Sequence, residues 1–215
     1  MVEVVRSCPE MCRFCLASYL TLPFRSSSLE DGLIPAVEKG LKVTNRLGLL
    51  GASVTQHPQF NDLLNWLGEE HFNDIRLSIS SVRASTVTRR MAQLLSQRGC
   101  KSITIAIESG SKKIRSLINK KLSEEEIFEA AHYAKEGGLK GLKLYGMVGL
   151  PKEENIDIEA TINLLNSLKQ KTKGLRFSLG VSSFVPKAHT PFQWYGLRPE
   201  AKRRIKLITK QLNSK

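Results

Sequence analysis

Cys8-Pro9-Glu10-Met11-Cys12-Arg13-Phe14-Cys15 places three of the chain's four cysteines within eight residues, spaced C-x3-C-x2-C. The stretch follows directly on the run Val2 to Arg6, whose β-branched residues predict a first strand. A loop leaving a strand can fold three thiolates around one metal centre. Cys100, the fourth cysteine, is far away in sequence, so the centre has three protein ligands and one open position. An open position is where metal chemistry takes place. Two rivals stand beside an iron–sulfur cluster. One is a zinc site completed in space by Cys100 or His57, although structural zinc favours four ligands in paired spacings and the second pair is missing here. The other is three unrelated reduced thiols.

Outward from this loop, strand-like and helix-like segments alternate to the end of the chain. A polar stretch through Pro23 and Ser26-Ser27-Ser28 leads to a helix over 29–46, and Leu47 to Ala52 reads as a buried second strand. Pro58 marks a helix start, with Phe60, Leu63, Leu64 and Leu67 as its apolar stripe. Ile75 to Ser80 is the third strand and Thr86 to Arg98 a helix stopped by Gly99. Ile103 to Ile107 is the fourth strand. Ser123-Glu124-Glu125-Glu126 matches a capping box opening a helix that Gly137-Gly138 ends. Leu142 to Val148, a helix carrying Ile158, Ile162, Leu165 and Leu168, the strand Phe177 to Phe184 and a last helix from about Pro199 to Leu212 complete the series.

Strand–helix units in series imply an α/β fold with parallel strands and right-handed crossovers. A doubly wound sheet and a barrel both fit. A full eight-unit barrel needs about 250 residues, so 215 residues in six units predict a partial (β/α)6 TIM-type barrel. Functional groups then belong at the C-terminal ends of the strands. The unusual residues do fall there: Cys8 after the first strand, Gly51-Ala52-Ser53 after the second and Ser81 and Arg83 after the third. Glu108-Ser109-Gly110-Ser111, Gly149-Leu150-Pro151 and Pro186-Lys187-Ala188-His189 follow the fourth, fifth and sixth.

With Phe14 just before its last cysteine, the C-x3-C-x2-C loop resembles the signature loop of the radical S-adenosylmethionine (radical SAM) enzymes. The resemblance runs over essentially the whole chain. It is similar above all to the methylthiotransferase-like branch and to relatives with a cobalamin-binding domain. The stretches Arg13 to Arg25 and Pro186 to Trp194 resemble the latter subgroup. The resemblance implies that Cys8, Cys12 and Cys15 hold a [4Fe-4S] cluster and that S-adenosylmethionine chelates the fourth iron. An electron from a flavodoxin- or ferredoxin-type donor then cleaves the sulfonium bond, and the 5′-deoxyadenosyl radical abstracts a hydrogen atom from substrate. Cofactor contacts follow from matched positions. Phe14, just before the last cysteine of the signature loop, is counted among them. Gly51, Ala52 and Ser53 stand where the family has a Gly-Gly-Glu-like motif meeting the methionine amino group. Glu108 and Ser109 resemble its ribose motif. Lys120 stands where a basic residue pairs with the methionine carboxylate, and Lys121 is a substitute. Gly149 and Leu150, in Gly146 to Glu153, resemble the motif lining the adenine. Arg83 is placed to reach cofactor or substrate.

Net charge is +13, from 33 lysines and arginines against 20 acidic residues. That surplus invites an anionic partner such as tRNA, beside the bland reading of a solvated basic surface. It is densest over Arg198 to Lys206, the exposed face of the last helix. No run approaches the roughly 18 apolar residues of a membrane span, and the first residues do not form a signal peptide. A cytoplasmic location and reduced, metal-ligating cysteines are the default expectation. Residues 1–215 are read as one radical SAM core domain, and a fragment of a longer protein lacking an N-terminal cobalamin-binding domain fits as well. The substrate is left open. Cobalamin-assisted methyl transfer or rearrangement, methylthio modification of tRNA or a ribosomal protein, and a truncated core that binds cofactor without turnover are the expectations.

Overall fold

The computed structural model describes residues 1–80 and 82–213. Ser81, expected at the exit of the third strand, lies outside the described residues. Among the described residues eight strands form: β1 (Val2–Glu3), β2 (Val5–Arg6), β3 (Arg25–Ser26), β4 (Arg46–Leu50), β5 (Arg76–Ile79), β6 (Ser102–Glu108), β7 (Gly141–Val148) and β8 (Arg176–Ser183). Seven helices join them: α1 (Ile34–Leu41), α2 (Phe60–Leu67), α3 (Arg89–Gln97), α4 (Lys112–Leu117), α5 (Glu124–Glu136), α6 (Asn155–Lys171) and α7 (Ala201–Asn213). β1, β4 and β5 pair in parallel, as do β6, β7 and β8. One parallel bridge, Val82 to Ile105, joins the two sheets. The result is the expected α/β partial barrel, with six consecutive parallel strand positions.

The first strand departs from expectation, because residues 2–6 serve two partners. Val2 and Glu3 pair with Leu49 and Leu50, whereas Val5 and Arg6 turn away to pair antiparallel with Ser26 and Arg25. Val4 divides the run: its N–H donates to the Leu50 carbonyl at 2.8 Å, and its own carbonyl accepts from the Ser27 N–H at 3.0 Å. The first helix is also shorter than its periodicity predicts. Pro35 lies in the first turn of α1 and has no N–H to give. The chain before it winds instead as a wide π turn over Leu29–Leu33. Thr86 belongs to a 3-10 turn, and α3 begins after Thr88, whose hydroxyl accepts from the Met91 N–H at 3.1 Å.

Outward-facing strand residues such as Leu49, Leu77, Ile103, Ile105, Leu142 and Leu144 pack against helix residues including Leu64, Met91, Leu95, Ala130 and Leu168 in one continuous core. A second cluster of Ile114, Ile118, Leu150, Phe184 and Phe192 lies under the cysteine loop, with Phe14 packed on it. Gly110 explains how α6 reaches β6. A Cβ there would lie 2.4 Å from the Thr161 Cα, so only glycine lets the helix backbone come this close. The Gly110 N–H donates to Thr161 Oγ1 at 2.8 Å. Among the described residues, no helix is long and apolar enough to cross a membrane.

Candidate active site

The cysteine loop is held mainly through its backbone, with Cys12 Sγ also donating to the Asn119 carbonyl at 3.7 Å. Met11 takes a positive φ of 54°, and the Cys15 N–H closes a turn onto the Cys12 carbonyl at 3.0 Å. The Asn119 amide donates to the carbonyls of Glu10 (3.1 Å) and Met11 (2.9 Å). The Tyr19 hydroxyl also donates to Met11 O, at 3.0 Å. The Arg13 N–H donates to the Ile118 carbonyl, and the Arg13 carbonyl accepts from the Phe192 N–H. The loop is thereby fastened to the end of α4 and to the segment after β8. The carbonyls of Glu10, Met11, Cys12 and Arg13 are engaged, and Cys8, Cys12, Phe14 and Cys15 are left to line the space inside.

Cys8, Cys12 and Cys15 line a common cavity of about 190 Å³ at the C-terminal ends of the strands. Cys12 is buried, and the other two are half-buried. Burial pushes the Cys12 thiol up to about 11; the Lys120 ammonium opposes this, and the neighbouring thiols and Glu108 add to it. The remaining walls come from strand exits: Ala52 and Ser53 after β4, Val82 and Arg83 after β5, Ala106 and Glu108 on β6, and Lys120 and Leu122 between α4 and α5. Phe14 lies across one side.

Two charged pairs face this space. Glu108 sits at a register shift in β6 with a φ of 62°, which turns its carboxylate inward to 3.6 Å from Lys120 Nζ. Burial raises the Glu108 carboxyl above its ordinary range, and the Lys120 charge works against that. Arg83 pairs with Glu10 at 2.9 Å, Gln56 Nε2 donates to Glu10 Oε1 at 2.6 Å, and the Ser53 hydroxyl bonds Gln56. Arg83 also reaches Ser85 Oγ and the Lys121 carbonyl, so it ties the β5 exit to the cysteine loop and to the α4–α5 link.

Of the residues singled out in the sequence, Cys8, Cys12, Phe14, Cys15, Ala52, Ser53, Arg83, Glu108 and Lys120 come together around the cavity. Gly51, Ser109, Gly149 and Leu150 are not among those lining it. Gly51 stands behind the wall, where a Cβ would lie 2.6 Å from the Val5 carbonyl. Ser109 is buried in the turn before α4, its carbonyl accepting from Arg115 Nη1 and its hydroxyl from the Ser111 N–H. The Gly149 N–H donates to Glu153, and Leu150 is fully buried under the loop. Glu10, Ser18, Gln56 and Asn119 were missed. Asn119 had a readable signal, since asparagine is favoured in the left-handed position after a helix, and its φ is 56°.

The donor set fits a thiolate-ligated cluster. Among the described residues, no three His, Cys, Asp or Glu side chains close on one metal-ion position. A [4Fe-4S] cluster does not need that convergence, because each thiolate binds its own iron. Nor does a fourth ligand for zinc stand at hand. His57 lies within 2.7 Å of the Ser27 carbonyl through Nε2 and accepts the Gln59 N–H at Nδ1, while Cys100 bonds the Ser102 carbonyl at the start of β6. The Ser18 hydroxyl is the sharpest indication of a guest. It is buried, has no hydrogen-bond partner, and belongs to a residue lining the cavity. A buried hydroxyl without a partner costs about 1–3 kcal/mol.

Comparison with known proteins agrees with this geometry. The model of the Radical SAM superfamily matches residues 2–165. An uncharacterised protein of Methanocaldococcus jannaschii is 36% identical over 214 residues, which is 99% of this chain and 46% of that protein. A tRNA-2-methylthio-N(6)-dimethylallyladenosine synthase of Thermodesulfovibrio yellowstonii is 26% identical over 78% of this chain and 40% of its own length. The chain thus spans less than half the length of these relatives. Among solved structures, coproporphyrinogen III oxidase from Escherichia coli, a radical SAM enzyme, superposes with a TM-score of 0.69 at 19% identity, over 99% of this chain and 51% of that one. The cobalamin-dependent radical enzyme OxsB, with aqua-cobalamin and S-adenosylmethionine bound, gives 0.63 at 16% identity, over 99% of this chain and 35% of that one.

Proposed function

Because this chain belongs to the radical SAM superfamily, we propose that residues 1–215 form a radical SAM core domain whose Cys8, Cys12 and Cys15 hold a [4Fe-4S] cluster beside one S-adenosylmethionine. The observation that carries this is the meeting of three thiols, the Glu108–Lys120 pair and the unpartnered Ser18 hydroxyl in one cavity. Bound there, cluster and S-adenosylmethionine supply reductive cleavage of the sulfonium carbon–sulfur bond and a 5′-deoxyadenosyl radical able to abstract hydrogen from a substrate. The chain's own residues bind and orient. Lys120 offers its ammonium to a carboxylate, and Glu108, held close to that charge, accepts hydrogen bonds from hydroxyl groups. Arg83 and Glu10 lock the loop against the β5 exit, which fixes the thiols before any ligand arrives. Phe14, packed against the cluster that holds Ile114, Leu150 and Phe184, closes the apolar side against water.

Anaerobic reconstitution with iron and sulfide tests this directly. The chain should bind about four irons and release 5′-deoxyadenosine when given S-adenosylmethionine and dithionite. Triple replacement of Cys8, Cys12 and Cys15 by alanine should abolish iron uptake; unchanged iron content would overturn the reading.

A second reading concerns the substrate. Methylthio modification of an RNA is supported by the 26%-identical relative named for that reaction and by the charge of +13. A cobalamin-assisted reaction is the alternative, supported by the likeness to OxsB. Mass spectrometry of tRNA incubated with the reconstituted chain separates the two: a methylthio adduct supports the first, a methyl group dependent on added cobalamin the second.

A further inference from the structure

At the pole opposite the cavity, every strand from β4 to β8 begins on or just after a cation: Arg46, Arg76, Lys101, Lys140 and Arg176. Main-chain bonds tie three of them side by side, since the Lys140 N–H donates to the Lys101 carbonyl and the Arg176 N–H to the Lys140 carbonyl. With Lys143, one step inside the barrel, these three line a groove of about 670 Å³ whose lining contains no acidic residue. All four side chains are exposed, and among the ion pairs of the described residues none includes them. Acids at this pole are exposed as well: Glu69 faces His71, Glu136 faces Arg89 and His132, and Glu70 and Asp74 lie in the turn before β5, outside the groove lining. Arg46 and Arg76 even stand directly opposite each other in register. Like charges so placed are destabilising, so the fold tolerates a repulsion at a pole that ordinarily serves stability.

We propose that this groove docks the phosphate backbone of a folded RNA, at the end of the barrel remote from the cysteine cavity. Three strand starts at about 4.8 Å spacing give the groove a cationic edge of about 10 Å, and Arg46 and Arg76 continue the row of cations beyond it to about 20 Å. Exposed Met1 and Val43 are too few to give an apolar interface core; of the exposed aromatics, Trp194 and Tyr195 belong to the opposite rim and Tyr145 stands in the middle of β7, outside the groove lining. An acidic protein partner is therefore the weaker match. The choice of RNA over DNA rests on the RNA reading above. The groove itself does not, nor does it depend on the cofactor.

The test is binding of a labelled, unmodified tRNA transcript to the full chain between about 50 and 200 mM salt. Replacing Lys101, Lys140 and Arg176 together by glutamine should weaken binding about 100-fold at low salt and lower the salt slope by about 2–3. The same change at Lys202, Arg203 and Lys206 on α7 should do much less. Equal losses from the two triple variants, or an unchanged slope in the first, would overturn the proposal. Binding of an acidic flavodoxin that is lost in the first triple variant, with no tRNA binding, would overturn it in favour of a protein partner. Duplex DNA binding as tightly as tRNA would keep the groove and remove the RNA reading. A fold-level control is built in: Arg76→Gln relieves the Arg46 repulsion and should raise the melting temperature by about 1–3 °C.

Discussion

Ser18 shows how a single atom can report on a ligand. Its hydroxyl is sealed in the cavity wall without a partner, so the ligand-free chain carries the cost of an unmade hydrogen bond. Ser18→Ala should therefore stabilise the ligand-free chain, raising its melting temperature by about 2–4 °C for each kcal/mol relieved. With cofactors loaded the ranking should reverse. The variant should then bind S-adenosylmethionine about 3–10-fold more weakly, as isothermal titration would read, because it lacks one hydrogen bond. A variant neutral in both states would mean that Ser18 has no ligand partner. At this scale the sequence was most informative where chemistry fixes residue type. Three clustered cysteines have few uses, and Lys120 and Glu108 sit at a helix exit and a strand end. Glu10, Gln56 and Ser18 were not legible, because their roles come from side chains of distant segments meeting: Glu10 with Gln56 across 46 residues and with Arg83 across the barrel mouth.

Elements show the same division between local and tertiary causes. The α5 capping box was readable because its partners are three residues apart, and both of its bonds form: the Glu126 N–H donates to Ser123 Oγ, and the Ser123 N–H to Glu126 Oε2. The bent first strand was not, since only the β4 and β3 partners decide where residues 2–6 divide. The junction of α4 and α6 yields two predictions. Gly110→Ala would place a methyl against the Thr161 backbone, which cannot yield as a side-chain tip could. Urea unfolding should show a loss of about 3 kcal/mol, at the upper end for overpacked sites. Asp157 accepts hydrogen bonds from Ser111 Oγ and the Glu154 N–H and pairs with Lys113 at 2.9 Å. Burial acts to raise its carboxyl, but these partners outweigh it and hold the group below its ordinary 3.8. A depressed carboxyl contributes stability above its unfolded value and loses it as pH falls through the folded one. Asp157→Asn should accordingly flatten the acid limb of the stability curve below about pH 4, while costing about 1–2 kcal/mol at neutral pH. An acid limb as steep as in the parent would show that Asp157 is not its source.

For the molecule as a whole, the sheet is two three-stranded halves that meet at the Val82–Ile105 bridge. The cavity straddles that meeting line: Ala52, Ser53 and Arg83 belong to one half, Ala106, Glu108 and Lys120 to the other. The apolar core beneath is continuous across both, so the halves do not separate, but between them, among the described residues, the backbone ladder is reduced to one bridge. Local opening with a small free energy concentrates in such regions. Amide exchange should therefore begin at Val82, whose N–H donates to the Thr104 carbonyl at 2.9 Å, long before β7 exchanges. A guest touching both walls would act as a rivet. Filling the cavity should slow exchange at this one seam far more than anywhere else in the sheet, so that the cavity's occupant doubles as the hinge pin of its own barrel.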